Sequence, residues 1–198
     1  MRLFVFARHG ESSFNTWHRV NGDPHRVVPL TTRGERQARA LGDQLRNVPI
    51  DLAVCTRFER TRRTAELALE GRAIPFHVEP SLDDIDIGRL DGQSIAAYRA
   101  WKRAHARNDR FPGGESLEAA TDRYVGAFRG LLARPERVLL VVTHELPIRY
   151  ALGAAAEMSS PERSTVAVPN ATAYLFDEAS LQVAAERLER REPQWAAA

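Results

Sequence analysis

The sequence predicts an α/β fold, a three-layer sandwich in which a mostly parallel central sheet carries helices on both faces. Three observations predict it. Short apolar runs alternate with amphipathic segments along the chain, 43% of the 198 residues are hydrophobic, and chemically versatile residues come directly after the apolar runs. That length and composition suit one domain with one substantial core, so residues 1–198 are read as a single unit, with 192–198 a loose tail. No internal repeat or low-complexity stretch interrupts it.

Met1–Ala7 reads as a short buried strand and residues 31–47 as an amphipathic helix, with a Thr32/Glu35 capping box and Ala38, Leu41 and Leu45 on one face. Leu52–Cys55 is a second strand, succeeded by a helix over residues 58–69 and an extended piece over residues 76–78. The Asp- and Gly-rich segment 81–92 has neither period and is expected to be a loop. Helices are predicted over residues 94–106 and 116–133, the latter with Leu117, Ala120, Tyr124, Phe128 and Leu131 in one stripe behind a Gly-Gly turn. Arg137–Val142 is the strongest strand and leads through His144 to a helix over residues 147–156. Strand-like runs at 165–168, 171–176 and 181–185 end the chain, and as apolar edges they could join two copies into a homodimer.

Charge excludes several function classes. Twenty-eight Lys+Arg against 26 Asp+Glu leave a net charge of +2, no basic slab for nucleic acid. The basic run Arg187–Arg191 is interleaved with acids and reads as a solvated helix. Lys102 is the only lysine, so Schiff-base chemistry would rest on it alone, and the lone Cys55 excludes an internal disulfide. The run Leu3–Ala7 ends at Arg8, too short for a membrane span or a signal peptide. A cytoplasmic protein without a membrane partner is expected.

In open α/β sheets ligands bind beyond the carboxyl ends of the strands. After the first strand come Arg8, His9, Gly10, Glu11 and Ser12; after the second, Thr56, Arg57 and Arg60; after Arg137–Val142, Thr143, His144 and Glu145. Two histidines and several arginines thus converge on one sheet edge. The arginine fork matches phosphate oxygens, and histidine serves as nucleophile or cation near neutral pH, so the set describes a phosphoryl pocket. Asn15 adds a neutral amide donor, and Gly10 permits close backbone approach to a ligand. His18, His25, His77 and His105 read as hydrogen-bonded loop residues, and Arg57, Arg62 and Arg63 as helix-surface partners of Glu59 or Glu66.

The stretch Arg8-His9-Gly10-Glu11-Ser12-Ser13-Phe14-Asn15 resembles the signature of the histidine phosphatase superfamily, which includes phosphoglycerate mutases and many small phosphatases. The resemblance continues in order through Leu30-Thr31 with Gly34, Gln37 and Ala38, then Thr56 to Thr64-Ala65. Leu82 to Gly92 is similar to the acid loop, Phe111 to Ser116 to a helix-entry motif, and Val142-Thr143-His144 to the second-histidine motif. It implies a phosphoglycerate mutase-like fold. It further implies that His9 is the nucleophile that becomes phosphorylated, that Arg8, Arg60 and His144 hold the phosphoryl oxygens, His144 as a cation, and that Asp84 is the proton donor. No cofactor and no metal are implied.

This chain departs from the pattern in three places. The acid is commonly glutamate, here the shorter Asp84, with Asp86 a rival; Asp83 is expected to face away, and the crowding of three carboxylates should raise one pKa. Glu145 replaces a small residue, bringing negative charge that either repels a second acidic group on the ligand or pairs with Arg149. The segment before Pro29 matches loosely, with Asn21 and Gly22 expected to line the mouth and Gly22 to contact substrate.

The mutases that this chain resembles carry a long insertion after the acid loop. Here only residues 93–113 separate Gly92 from Gly114, so water should reach the phosphohistidine. A metal-independent phosphatase acting on a small phosphorylated metabolite is therefore expected; a mutase-type transfer and a non-catalytic phospho-ligand module are the alternatives. A metal-dependent hydrolase built on His9, Glu11, Asp84, Asp86 and His144 is a further rival that chelator would test. Residues 21–28 and 98–110, with His25, Trp101, Lys102, Arg103 and His105, would either bind an acidic or sugar-like group or form a solvated face.

Overall fold

The computed structural model describes residues 2–156 and 167–190. Five strands form one sheet: β1 (Leu3–Arg8), β2 (Leu52–Cys55), β3 (Phe76–Val78), β4 (Val138–Thr143) and β5 (Ala173–Asp177). Their order is β3-β2-β4-β1-β5, parallel except for β5, which runs antiparallel beside β1. Seven α-helices accompany them among the described residues: α1 (Ser13–Thr16), α2 (Thr32–Gln44), α3 (Glu59–Ala68), α4 (Ile95–Ala104), α5 (Leu117–Ala133), α6 (Glu145–Ala155) and α7 (Glu178–Arg190).

The strands sort their side chains by a period of two. Phe4, Phe6, Leu52, Val54, Leu139 and Val141 pack against α5, α6 and α7. Val5, Ala7, Ala53, Leu140 and Val142 face the other way, onto Leu41 and Leu45 of the α2 segment and Ala65 and Ala68 of α3. Both faces are thus covered, which is why β4 reads as a continuous apolar run rather than an alternating one. The predicted stripe on α5 is buried throughout.

Four expectations need correction. The run 181–185 is helical, part of α7: Leu181, Ala184, Ala185 and Leu188 are buried at helical spacing while Val183 is 40% exposed. The cap of α2 is Thr31, not Thr32; its hydroxyl accepts from the Gly34 N–H at 3.0 Å. The strand expected from 171 begins at Ala173, because Ala171 holds a left-handed φ of 49° that no strand continues through. The helix expected from Pro147 starts earlier, at Glu145, so the proline sits in the first turn, where no intrahelical donor is needed. Of the run 165–168, residues 165 and 166 lie outside the described residues and 167 and 168 are irregular; the tail 192–198 also lies outside them.

Strand register positions the chemistry. β1 and β4 are parallel neighbours with Arg8 opposite Thr143, so the residues that leave the two strands, His9 and His144, emerge side by side. The His9 N–H donates to the Thr143 carbonyl at 3.0 Å.

Candidate active site

The loop after β1 is fixed by backbone contacts before any side chain acts. A Cβ on Gly10 would lie 2.5 Å from the Gly34 carbonyl oxygen, so this glycine serves close packing against the start of α2 rather than approach to a ligand. The Gly10 N–H donates to Thr64 Oγ1 at 2.9 Å, and Asn170 Nδ2 donates to the His9 carbonyl at 2.8 Å.

This frame sets the His9 ring. Its Nδ1 lies 2.7 Å from the Gly10 carbonyl, which only accepts, so Nδ1 carries the proton and Nε2 the lone pair. That Nε2 accepts from Arg60 Nε–H at 3.2 Å. Burial first, and then the charges of Arg60 and Arg8, hold the His9 pKa well below the ordinary imidazole value. The ring is therefore neutral at physiological pH.

Arg60 is 4% exposed and lies at the centre. Besides His9 it donates from Nη1 to Asn21 Oδ1 at 2.5 Å, and from Nη2 to His144 Nδ1 at 3.2 Å, while Asp84 Oδ2 stands 3.6 Å from Nη2. Burial lowers its pKa to about 10, which leaves it a cation at neutral pH. Since Arg60 donates to Nδ1 of His144, the ring proton lies on Nε2 and goes to Thr56 Oγ1 at 3.0 Å. Thr61 Oγ1 donates to the Phe58 carbonyl at 2.8 Å, so the Thr56 hydroxyl in turn donates to Thr61 Oγ1, also at 2.8 Å. Three donors thus run in line to a backbone carbonyl and fix the tautomer of His144.

His144 is fully buried, and burial together with the Arg60 charge pushes its pKa well below the ordinary value. Its Nδ1 is here an acceptor, from Arg60.

The carboxylates separate clearly. Asp84 lines the pocket, with Oδ2 3.6 Å from both Arg60 Nη2 and His144 Nδ1. Asp83 is buried against Arg57, whose Nε donates at 2.6 Å; Arg57 therefore braces this loop instead of pairing on its helix. Asp86 is exposed and accepts from the Gly88 N–H at 2.9 Å, on the far side of the loop. Burial chiefly raises the Asp84 pKa, against the pull of Arg60, and the Glu145 charge adds to the rise.

The acid loop is clamped from behind by Arg123, which sequence patterning did not single out. Its Nη1 donates to the carbonyls of Ser81 and Asp83, both at 3.0 Å, and its Nη2 pairs with Glu115 Oε1 at 2.5 Å. Asp91 Oδ1 accepts from Asn21 Nδ2 at 3.0 Å and from the Gly22 N–H at 2.9 Å. Gly22 itself does not line the pocket: a Cβ there would lie 2.2 Å from the Ile85 carbonyl oxygen, so it packs against the acid loop. Periodicity signals none of these braces, because each depends on how an irregular loop lies against another part of the chain.

Arg8 and Glu145 also meet. Arg8 Nη1 donates to the Val168 carbonyl and stands 2.8 Å from Glu145 Oε2, while the other Glu145 oxygen pairs with Arg149. Asn15 lines the pocket, and its Oδ1 accepts from the Ser12 N–H at 2.9 Å, leaving Nδ2 for a ligand. His18, His25, His77 and His105 lie elsewhere.

Together these groups line a cavity of about 420 Å³. Its lining includes Arg8, His9, Arg60, Asp84 and Glu145, the apolar Phe14, Val20, Val28, Ile87, Ile95 and Tyr98, and Arg99, Lys102 and Arg103 of α4. Such a lining suits an anion with an apolar portion. Among the described residues no cluster of three His, Cys, Asp or Glu side chains is arranged to hold a metal ion, and no helix is long and apolar enough to cross a membrane.

Comparison with known proteins identifies the family. The chain is 35% identical to the adenosylcobalamin/alpha-ribazole phosphatase of Salmonella typhimurium, over 73% of this chain and 74% of that protein. It is 32% identical to the "Probable phosphoglycerate mutase GpmB" of Salmonella choleraesuis, over 71% and 69%. The alpha-ribazole phosphatase structure from Shigella flexneri superposes with a TM-score of 0.76 at 27% identity, over 88% of this chain and 90% of that one. The family model of the histidine phosphatase superfamily, branch 1, matches residues 4–189. With that match over most of its length, the chain belongs to branch 1 of the histidine phosphatase superfamily.

Proposed function

We propose that this histidine phosphatase hydrolyses a small phosphomonoester in two steps through a phosphohistidine on His9, without a metal. The observation that carries the reading is the His9 tautomer: Nδ1–H is held by the Gly10 carbonyl, so Nε2 offers a lone pair beside Arg60. In the first step Nε2 bonds to phosphorus as the ester P–O bond breaks, and Asp84, whose pKa burial raises, gives a proton to the departing oxygen. In the second the Asp84 carboxylate takes a proton from water, whose oxygen displaces His9 from phosphorus and releases phosphate. Arg8, Arg60, Asn15 Nδ2 and Nδ1 of His144 hold the phosphoryl oxygens, a preorganised positive wall in a largely dry site. An arriving dianion opposes the burial that keeps His144 neutral, so His144 takes up a proton at Nδ1 as phosphate binds.

The apolar walls and the cavity volume support a small metabolite with a flat or apolar body. Alpha-ribazole phosphate, named for the Salmonella relative, heads a substrate panel with sugar phosphates and phosphoglycerates. The test is phosphate release from phenyl phosphate in the presence of chelator, for the wild type and His9→Ala. Activity in the first, with a base-stable, acid-labile phosphoenzyme on acid-free quench, and none in the second is expected; a fully active His9→Ala would sink the mechanism.

A further inference from the structure

Glu145 is the first residue of α6, where a negative charge is already favoured by the helix N-terminus. Its contacts go further than that. One carboxylate oxygen stands 2.8 Å from Nη1 of Arg8, a proposed phosphoryl-holding arginine, and the other pairs with Arg149, which also lines the cavity. Its side chain is 37% exposed, so it forms part of the pocket surface. Nη1 of Arg8 is fully occupied, by Glu145 and by the Val168 carbonyl at 2.8 Å.

We propose that Glu145 is a specificity-determining residue, an internal anion that shares Arg8 with the bound phosphoryl group. In this role it weakens the hold on free phosphate and turns away phosphomonoesters that carry a second anionic group close to the ester. The inference rests on the phosphoryl-pocket reading of the site. Its physical basis is charge balance. Arg8 and Arg149 would present two adjacent cations to any anion in the cavity, and Glu145 cancels one of the two charges from within it. A phosphoryl dianion still binds, because Arg60 has no carboxylate closer than Asp84 at 3.6 Å and Glu145 engages Arg8 through Nη1. A second anion beside it meets the Glu145 charge instead of Arg149.

The experiment is calorimetric binding of inorganic phosphate to the whole chain, wild type against Glu145→Gln, which keeps an acceptor for Arg8 and removes the charge. About tenfold tighter phosphate binding is expected in the variant. In turnover, the kcat/KM ratio for 4-carboxyphenyl phosphate over phenyl phosphate should rise severalfold. Unchanged phosphate affinity overturns the proposal. So does weaker affinity, which would mean that Glu145 only orders Arg8. Glu145→Ser, with the same expectations, covers a glutamine variant that fails to fold. Because binding needs no turnover, a wild type that binds phosphate but hydrolyses neither probe removes the hydrolase reading and leaves the Glu145 test in force.

Discussion

Arg60 Nε donates to His9 Nε2 across 3.2 Å, so the atom proposed to attack phosphorus rests against the arginine proposed to hold its oxygens. The contact keeps Nε2 unprotonated, since one nitrogen cannot both carry a proton and accept one. It also places nucleophile and clamp within a single phosphoryl group of each other, the near-attack placement from which much of the rate derives.

Asp84 and Asp86 differ in where they stand, and substitution should separate them. Asp84→Asn is expected to lower kcat/KM on an alkyl phosphate by about 10²- to 10⁴-fold, while Asp86→Asn stays within about threefold. Steady-state kinetics on the two variants checks this, and an inactive Asp86→Asn with an active Asp84→Asn would reverse the assignment.

The directions of two pKa shifts set the pH profile. His9 works unprotonated and its pKa is lowered, so the acid limb of kcat/KM should lie below the ordinary imidazole value; Asp84 works protonated and its pKa is raised, so the alkaline limb should lie above the usual carboxylate range. The alkaline limb should vanish in Asp84→Asn.

Stability should fall on the acid side for a separate reason. His9 and His144 are buried neutral with lowered pKa values, whereas in the unfolded chain they charge near pH 6.5. Their contribution is present above that pH and is lost as pH falls towards the folded-state values, at about 1.4 kcal/mol per pH unit for each ring. Urea unfolding between pH 7 and 5 measures the slope, which should be shallower in His144→Gln.

Thr56→Val removes the acceptor of the His144 Nε2–H and interrupts the line to Thr61. A buried donor left without a partner costs about 1–3 kcal/mol. Thermal unfolding should show that loss, with phosphate affinity falling as the ring loses its fixed tautomer.

Gly22→Ala should damage activity without touching the cavity. The added methyl meets the backbone of Ile85 and Ile87, so the acid loop has to shift, at a cost of about 1–3 kcal/mol. A drop in kcat/KM accompanied by a lower Tm is expected; an unchanged Tm with raised KM alone would instead favour the direct substrate contact that the sequence implied.

The central chemistry was legible because it is written at strand ends. His9, Arg60 and His144 each come after a strongly apolar run, and parallel neighbouring strands deliver the residues at their carboxyl ends to one edge of the sheet. The supports were not legible. Arg123 on α5, Asp91 and Asn170 act through contacts with loops, and a loop has no period that announces its partner. Helix α7 was mistaken for a strand at residues 181–185 because a five-residue window of Leu, Gln, Val, Ala and Ala suits either period, and only Leu188 beyond it completes the helical spacing.

By itself the sequence determined the layered α/β fold and the placement of two histidines and several arginines after apolar strands, because local periodicity dictates them, while its ordered motifs, by resemblance, marked the acid loop. Tertiary structure decided which ring nitrogen is free, which of three aspartates enters the pocket, and that Glu145 reaches Arg8. Proton positions and charge partners depend on distances between residues far apart in the chain, and only packing sets those distances.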